Sequence, residues 1–131
     1  MADDNLERFW EWVNAFNGSD EEWILDHVAS DLEFVPLRAQ TEGSFHGRQG
    51  FRRFLKDTEE SFDLFQIQVT EVRDLGDGRV LGTGTIRIKG KGSGIETDVP
   101  TAAVVTFRDG LMTHFKDYAD RQAALDAAGL D

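Results

Sequence analysis

The chain has 131 residues, with 25 acidic against 14 basic for a formal net charge of -11, and no cysteine. That length supports one compact domain with a core and is too short for two. The acidic balance repels phosphate backbones and anionic lipid, excluding nucleic acid and membrane surfaces first as partners, and the lack of cysteine excludes disulfides, thiolate catalysis and Cys-ligated zinc. With 40% hydrophobic and 11% aromatic residues the chain is composed to fold. Its start, MADDNLERFW, is acidic where a signal peptide needs a basic segment, and no apolar stretch reaches bilayer length. A cytoplasmic protein is the expectation.

Leu6, Phe9, Trp10, Val13 and Phe16 recur at helical spacing and predict an amphipathic helix over residues 4–16. Ser19 with Glu22 has the pattern of a capping box, opening a shorter helix that carries Trp23, Ile24 and Val28. DLEFVP (31–36) alternates like a strand and is followed by an irregular stretch. Phe51, Phe54, Leu55, Thr58 and Phe62 then stripe a third helix. From Leu64 the period drops to two. LFQIQVTEV, VLGTGTIRIK and IETDVPTAAVVTF read as strands joined by turns at Gly76–Gly78 and Gly90–Gly94, and Arg108–Gly110 turns into a last strand, LMTHFKDYA. Asp120 can cap a final helix that Gly129 ends. Helices followed by hairpin-linked strands define an α+β fold with an antiparallel sheet, its helices on one face.

Reading Arg108-Asp109-Gly110 as a three-residue loop pairs Phe107 with Leu111, Val105 with Thr113, Ala103 with Phe115 and Thr101 with Asp117. One face then carries Val99, Thr101, Ala103, Val105, Phe107, Leu111, Thr113, Phe115 and Asp117. The other carries Val104, Met112, His114, Lys116 and Tyr118. Asp117 is the only charge on the apolar face, and His114, three residues away, points the opposite way. A buried carboxylate drifts toward a raised pKa, useful to a general acid or base. It equally suits a structural ion pair with Arg38, Arg48 or Arg52.

HGRQGFRRFL, SGIETDVPTAAVVTFRDG and FKDYADRQAALDAAGL together resemble the SnoaL-like branch of the nuclear transport factor 2 superfamily, from the first helix to the end of the chain. The resemblance implies a cone-shaped curved antiparallel sheet wrapped around N-terminal helices, enclosing an apolar cavity, as in cystatin-like folds. It also implies dimers through the outer face of the sheet. Relatives include polyketide cyclases, ketosteroid isomerase, scytalone dehydratase and limonene epoxide hydrolase, so function must come from the site. Against limonene epoxide hydrolase, the essential aspartate of the last strand falls on Asp117 and its aromatic neighbour on Phe115. The remaining polar positions of that enzyme fall on Gly84, Ile86, Phe34 and Pro36, which argues against epoxide hydrolysis by that route.

Other motifs carry less. The spacings of His27, His46 and His114 match no metal signature, although His46 lies in a loop that can border the cavity mouth. Gly82 and Gly84, in GTG, sit within a strand and suit sheet curvature better than phosphate binding. Arg48, Arg52, Arg53 and Lys56 are balanced by Asp57, Glu59 and Glu60.

The expectation is a single SnoaL-like domain over residues 1–131, a homodimer that needs no cofactor and holds no metal. Its apolar pocket, of a few hundred Å³, would be lined by Val13, Phe16, Phe34, Leu55, Thr58, Phe62, Thr101 and Phe115. Two functions fit. One is a cyclase, isomerase or dehydratase on a small apolar molecule, with Asp117 as general acid or base. The other is a non-catalytic apolar-ligand pocket or dimeric interaction module.

Overall fold

In the computed structural model, which describes residues 2–37 and 44–129 (side chains from Asp4 onward), α1 spans Ala2–Asn17. Its buried face is Phe9, Trp12, Val13 and Phe16, spaced i, i+3, i+4, i+7. Trp10, expected on that stripe, is 42% exposed, because it stands about 100° round the helix from Phe9. In α2 (Glu21–Asp26) the cap is Asp20, whose carboxylate accepts the Trp23 N–H at 3.2 Å. Ser19, expected in that role, sits at φ +58° in the turn that closes α1. Val28 belongs to no helix; it opens β1 (Val28–Val35).

β2 (Phe45–His46) leads straight into α3 (Gly47–Ser61), which buries Phe51, Phe54 and Thr58. Four strands follow, β3 (Phe62–Gly76), β4 (Arg79–Gly90), β5 (Glu96–Arg108) and β6 (Leu111–Tyr118), and then α4 (Arg121–Ala127). The sheet is curved and unclosed, ordered β2-β1-β6-β5-β4-β3. It is mixed, and the expectation of a purely antiparallel sheet fails at one pair: β1 runs parallel to β6. Those strands lie far apart in sequence, so no turn chemistry announces their pairing.

α1 and α3 pack on the inner face, where Phe34 stacks on Phe115 at 4.5 Å between ring centres and meets Phe54 at 4.7 Å. The side-chain amide of Asn17, at the end of α1, bonds both the N–H and the C=O of Ile67 at 2.9 Å. This satisfies backbone groups on the edge strand β3 and ties it to the helix. Helices do not keep to one face, however. Asp120 caps α4 by accepting the Ala123 N–H at 2.8 Å, and α4 buries Ala124 and Leu125 against Leu81 and Ala102 on the outer face. Arg121 holds it there with a two-pronged bond to Glu71, 2.7 Å at its shorter contact.

The β5–β6 hairpin departs from the expected register. Its loop has two residues, Asp109 at φ +55° and Gly110 at φ +79°, so Arg108 faces Leu111 and Phe107 faces Met112. A bulge then inserts Thr113, after which Thr106 faces His114, Val105 faces Phe115 and Ala103 faces Asp117. The bulge restores the inward direction of Phe115 and Asp117, while Met112 turns inward and is fully buried, contrary to its expected place on the outer face. Among the described residues no helix is long and apolar enough to cross a bilayer, which says nothing of strands.

Candidate functional site

A pocket of about 170 Å³ lies between α1 and the inner face of the sheet. Phe9, Trp12, Val13 and Phe16 of α1 form one wall. Phe34, Pro36 and Leu37 come from β1 and its exit, Phe54 from α3, and the opposite wall from β3 to β6. The aromatic rings of α1 and α3 reach deep inside, which is why the space is smaller than the few hundred Å³ expected. Two glycines in β4 sit at close approaches, Gly82 to a ring and Gly84 to backbone. A Cβ on Gly82 would stand 2.3 Å from Phe9 Cζ, and one on Gly84 would stand 1.9 Å from the backbone oxygen of Gln68. Gly84 lies beside the β3 bulge between Val69 and Glu71, so this glycine serves a close backbone approach where the sheet bends.

Val13, Phe16, Phe34, Phe62, Thr101, Phe115 and Asp117 all border this pocket. Leu55 and Thr58 do not; they face a neighbouring hollow that shares Phe16, Phe62 and Phe65 with it. Trp12 borders the pocket too; it is absent from the expected lining, although the i, i+3, i+4, i+7 set starting at Phe9 contains it.

Asp117 is 8% exposed. The parallel pairing of β1 with β6 brings the exit of β1 beside it, so the Leu37 amide as well as Thr101 can bond its carboxylate. Thr101 Oγ1 donates to Asp117 Oδ1 at 3.1 Å. Burial pushes the carboxyl up to about 7; the Thr101 hydroxyl and the Leu37 amide pull it down by less. Among the described residues no arginine pairs with Asp117. Arg48 donates to the Leu25 carbonyl and Arg52 faces Glu21, while Arg38 lies outside the described residues.

The histidines are elsewhere. His114 points outward, on the face opposite Asp117, as the strand period requires. His46 also faces outward, paired across β1–β2 with Glu33 and bonded to Ser44, while its neighbour Phe45 takes the inward position. His27 stacks on Trp23 at 3.9 Å. Among the described residues no three metal-ligand side chains converge.

The sequence profile of the SnoaL-like domain matches residues 8–115, and the chain belongs to that family. The match stops two residues before Asp117 and so does not speak for it. No curated protein matches. Solved structures sharing the fold include TerC co-crystallised with polyporic acid, at 22% identity and TM-score 0.76, with 96% of this chain and 98% of that one covered. A putative SnoaL-like polyketide cyclase from Jannaschia sp. CCS1 is 16% identical with TM-score 0.77 over 100% of this chain and 95% of that one. An LEH-like epoxide hydrolase of M. tuberculosis is 14% identical, TM-score 0.74, over 89% of this chain and 83% of that one. These likenesses establish the fold, one that also serves small-molecule enzymes.

Proposed function

We propose that the protein is a cofactor-independent enzyme that moves a proton on a small apolar molecule, in a reaction of cyclase, isomerase or dehydratase type, with Asp117 as general acid and base. The observation that carries this is a carboxyl group in an apolar pocket, alone there among the described residues and pushed up to about 7 by burial. Near neutrality both its forms are populated, so one group can take a proton from substrate and return it elsewhere without redox chemistry. Thr101 bonds the carboxylate from one side, and the aromatic walls give it an apolar surround. Gly84 and Ile86 border the same pocket and offer no second polar partner, so epoxide opening by paired carboxylates and an arginine is not part of the proposal.

The test is hydrogen–deuterium exchange next to the carbonyl of small cyclic ketones in D2O, followed by NMR. The wild-type protein should accelerate exchange for at least one ketone of the panel. Asp117→Asn should lower that rate by at least about 100-fold, the usual contribution of a positioned acid–base group. Equal rates in the two proteins would leave the second reading, a non-catalytic apolar-ligand pocket, which the scarcity of polar lining favours.

The proposal extends to a homodimer through the outer face of the sheet, on more polar ground than the sequence suggested. Met112 is turned inward, and Val104 and Tyr118 pack against the cluster beneath α4. His114, Lys116 and the Arg87–Asp98 pair at 2.9 Å remain to make contacts. Light scattering should show a dimer at micromolar concentration, and a monomer there would end this part.

A further inference from the structure

Trp12 borders the same pocket as Asp117 and is 2% exposed, yet its indole N–H is buried with no hydrogen-bond partner among the described residues. Phe16 stacks on the indole at 5.6 Å and 26° between planes, and Phe115 lies tilted over it at 5.4 Å and 39°. The N–H lies in the ring plane, so rings lying over the indole faces are poorly placed to accept it. A buried donor without an acceptor is costly, and a native protein rarely keeps one without a use. Of the other polar side chains bordering the pocket, the Thr101 hydroxyl donates to Asp117 and the Gln68 side-chain oxygen accepts from Thr85 at 3.3 Å. The Thr83 hydroxyl is also buried without a hydrogen-bond partner among the described residues, but Thr83 pairs with Ala102 and points to the outer face of the sheet.

We infer that Trp12 Nε1–H is the anchoring donor of this pocket, and that its ligand is a neutral, largely hydrocarbon molecule carrying an acceptor oxygen such as a ring ketone. The inference rests on the proposed ligand pocket and goes further, because it names the group that reads the ligand. Trp12 reads the acceptor oxygen, and the aromatic walls read the hydrocarbon. A hydrocarbon of the same shape leaves the indole N–H unpaired and binds more weakly, the way a site built to bond a polar group rejects analogues that lack it. A charged ligand is disfavoured, since no cation among the described residues borders the pocket and Asp117 is an anion above about pH 7.

The probes are 1-indanone and indane, which share a bicyclic frame and differ by the ketone oxygen. The indole N–H resonances of Trp10, Trp12 and Trp23 are followed by nitrogen–proton NMR, with Trp12 assigned by its loss in Trp12→Phe. Indanone should bind the wild type roughly tenfold more tightly than indane and move the Trp12 indole proton downfield. In Trp12→Phe, which keeps an aromatic ring, the preference for indanone over indane should vanish. If both compounds bind the wild type equally, or the Trp12 signal stays still while indanone binds, the inference is wrong and the pocket stands. If neither binds, the pocket reading fails and takes this inference with it. Should Trp12→Phe fail to fold, Trp10→Phe and Trp23→Phe assign the other two indole signals, and the wild-type preference with the shift of the remaining signal decides.

Discussion

Thr101 donates its hydroxyl to Asp117 Oδ1 at 3.1 Å, although the residue directly across the β5–β6 ladder from Asp117 is Ala103. The bond is diagonal, between residues two positions out of register on one face, which lets a short side chain reach the carboxylate from the side. It opposes the desolvation that raises the Asp117 pKa without cancelling it.

Stability should carry the mark of that raised pKa. The folded chain holds a proton on Asp117 up to about pH 7, whereas the unfolded chain releases it near 3.8. The folded state therefore binds more protons between those values, and stability from this group is present below about pH 4 and lost as pH rises through 7. Asp117→Asn removes the titration. Its stability relative to wild type should rise between pH 4 and pH 8 by up to roughly 4 kcal/mol, at about 1.4 kcal/mol per pKa unit. Urea denaturation of both proteins at the two pH values checks this, since every other group cancels in the difference. A pH-independent difference would contradict it.

Thr101→Val keeps the shape and deletes the donor to the carboxylate. The pKa of Asp117 should move further above 7, and the pH profile of any activity should shift the same way. Stability should fall by about 1 kcal/mol at pH 8, where the carboxylate has lost a partner. An unmoved profile would mean that the hydroxyl does not address the charged form.

The two pocket glycines should fail differently. At Gly84 the added methyl meets a backbone oxygen that cannot give way, so Gly84→Ala should cost about 1–3 kcal/mol or more and disturb the β3–β4 pairing. At Gly82 the obstacle is the tip of the Phe9 ring, which can swing toward the pocket. Gly82→Ala should keep more of its stability and lose ligand affinity. Thermal melts beside binding titrations separate the two.

Much of this fold could be read from local pattern. Strand alternation points Phe115 and Asp117 inward both with the three-residue loop expected and with the loop observed, because a two-residue loop and the bulge at Thr113 together move the register by two and leave the faces of these residues unchanged. The two-residue loop sets Met112 opposite Phe107 and so turns it inward, and nothing in LMTHF signals that Thr113 is the extra residue that restores the alternation. Helical spacing from Phe9 selects Trp12 over Trp10 for the buried face, and the structure agrees, with Trp12 2% and Trp10 42% exposed. The β1–β6 pairing and the docking of α4 depend on contacts between distant segments, which no periodicity encodes. That pairing also supplies the Leu37 amide to Asp117, so part of the site's electrostatics could not be read locally.

The central claim is that Asp117 titrates near neutrality inside an apolar pocket. Carbon-13 NMR of the aspartate side-chain carboxyls, with Asp117 assigned by its loss in Asp117→Asn, measures this directly across a pH series. One aspartate should titrate at about 7 and disappear in the variant. An Asp117 that titrates near 4 or below would show a solvated or ion-paired carboxylate, and the acid–base role built on it would fall.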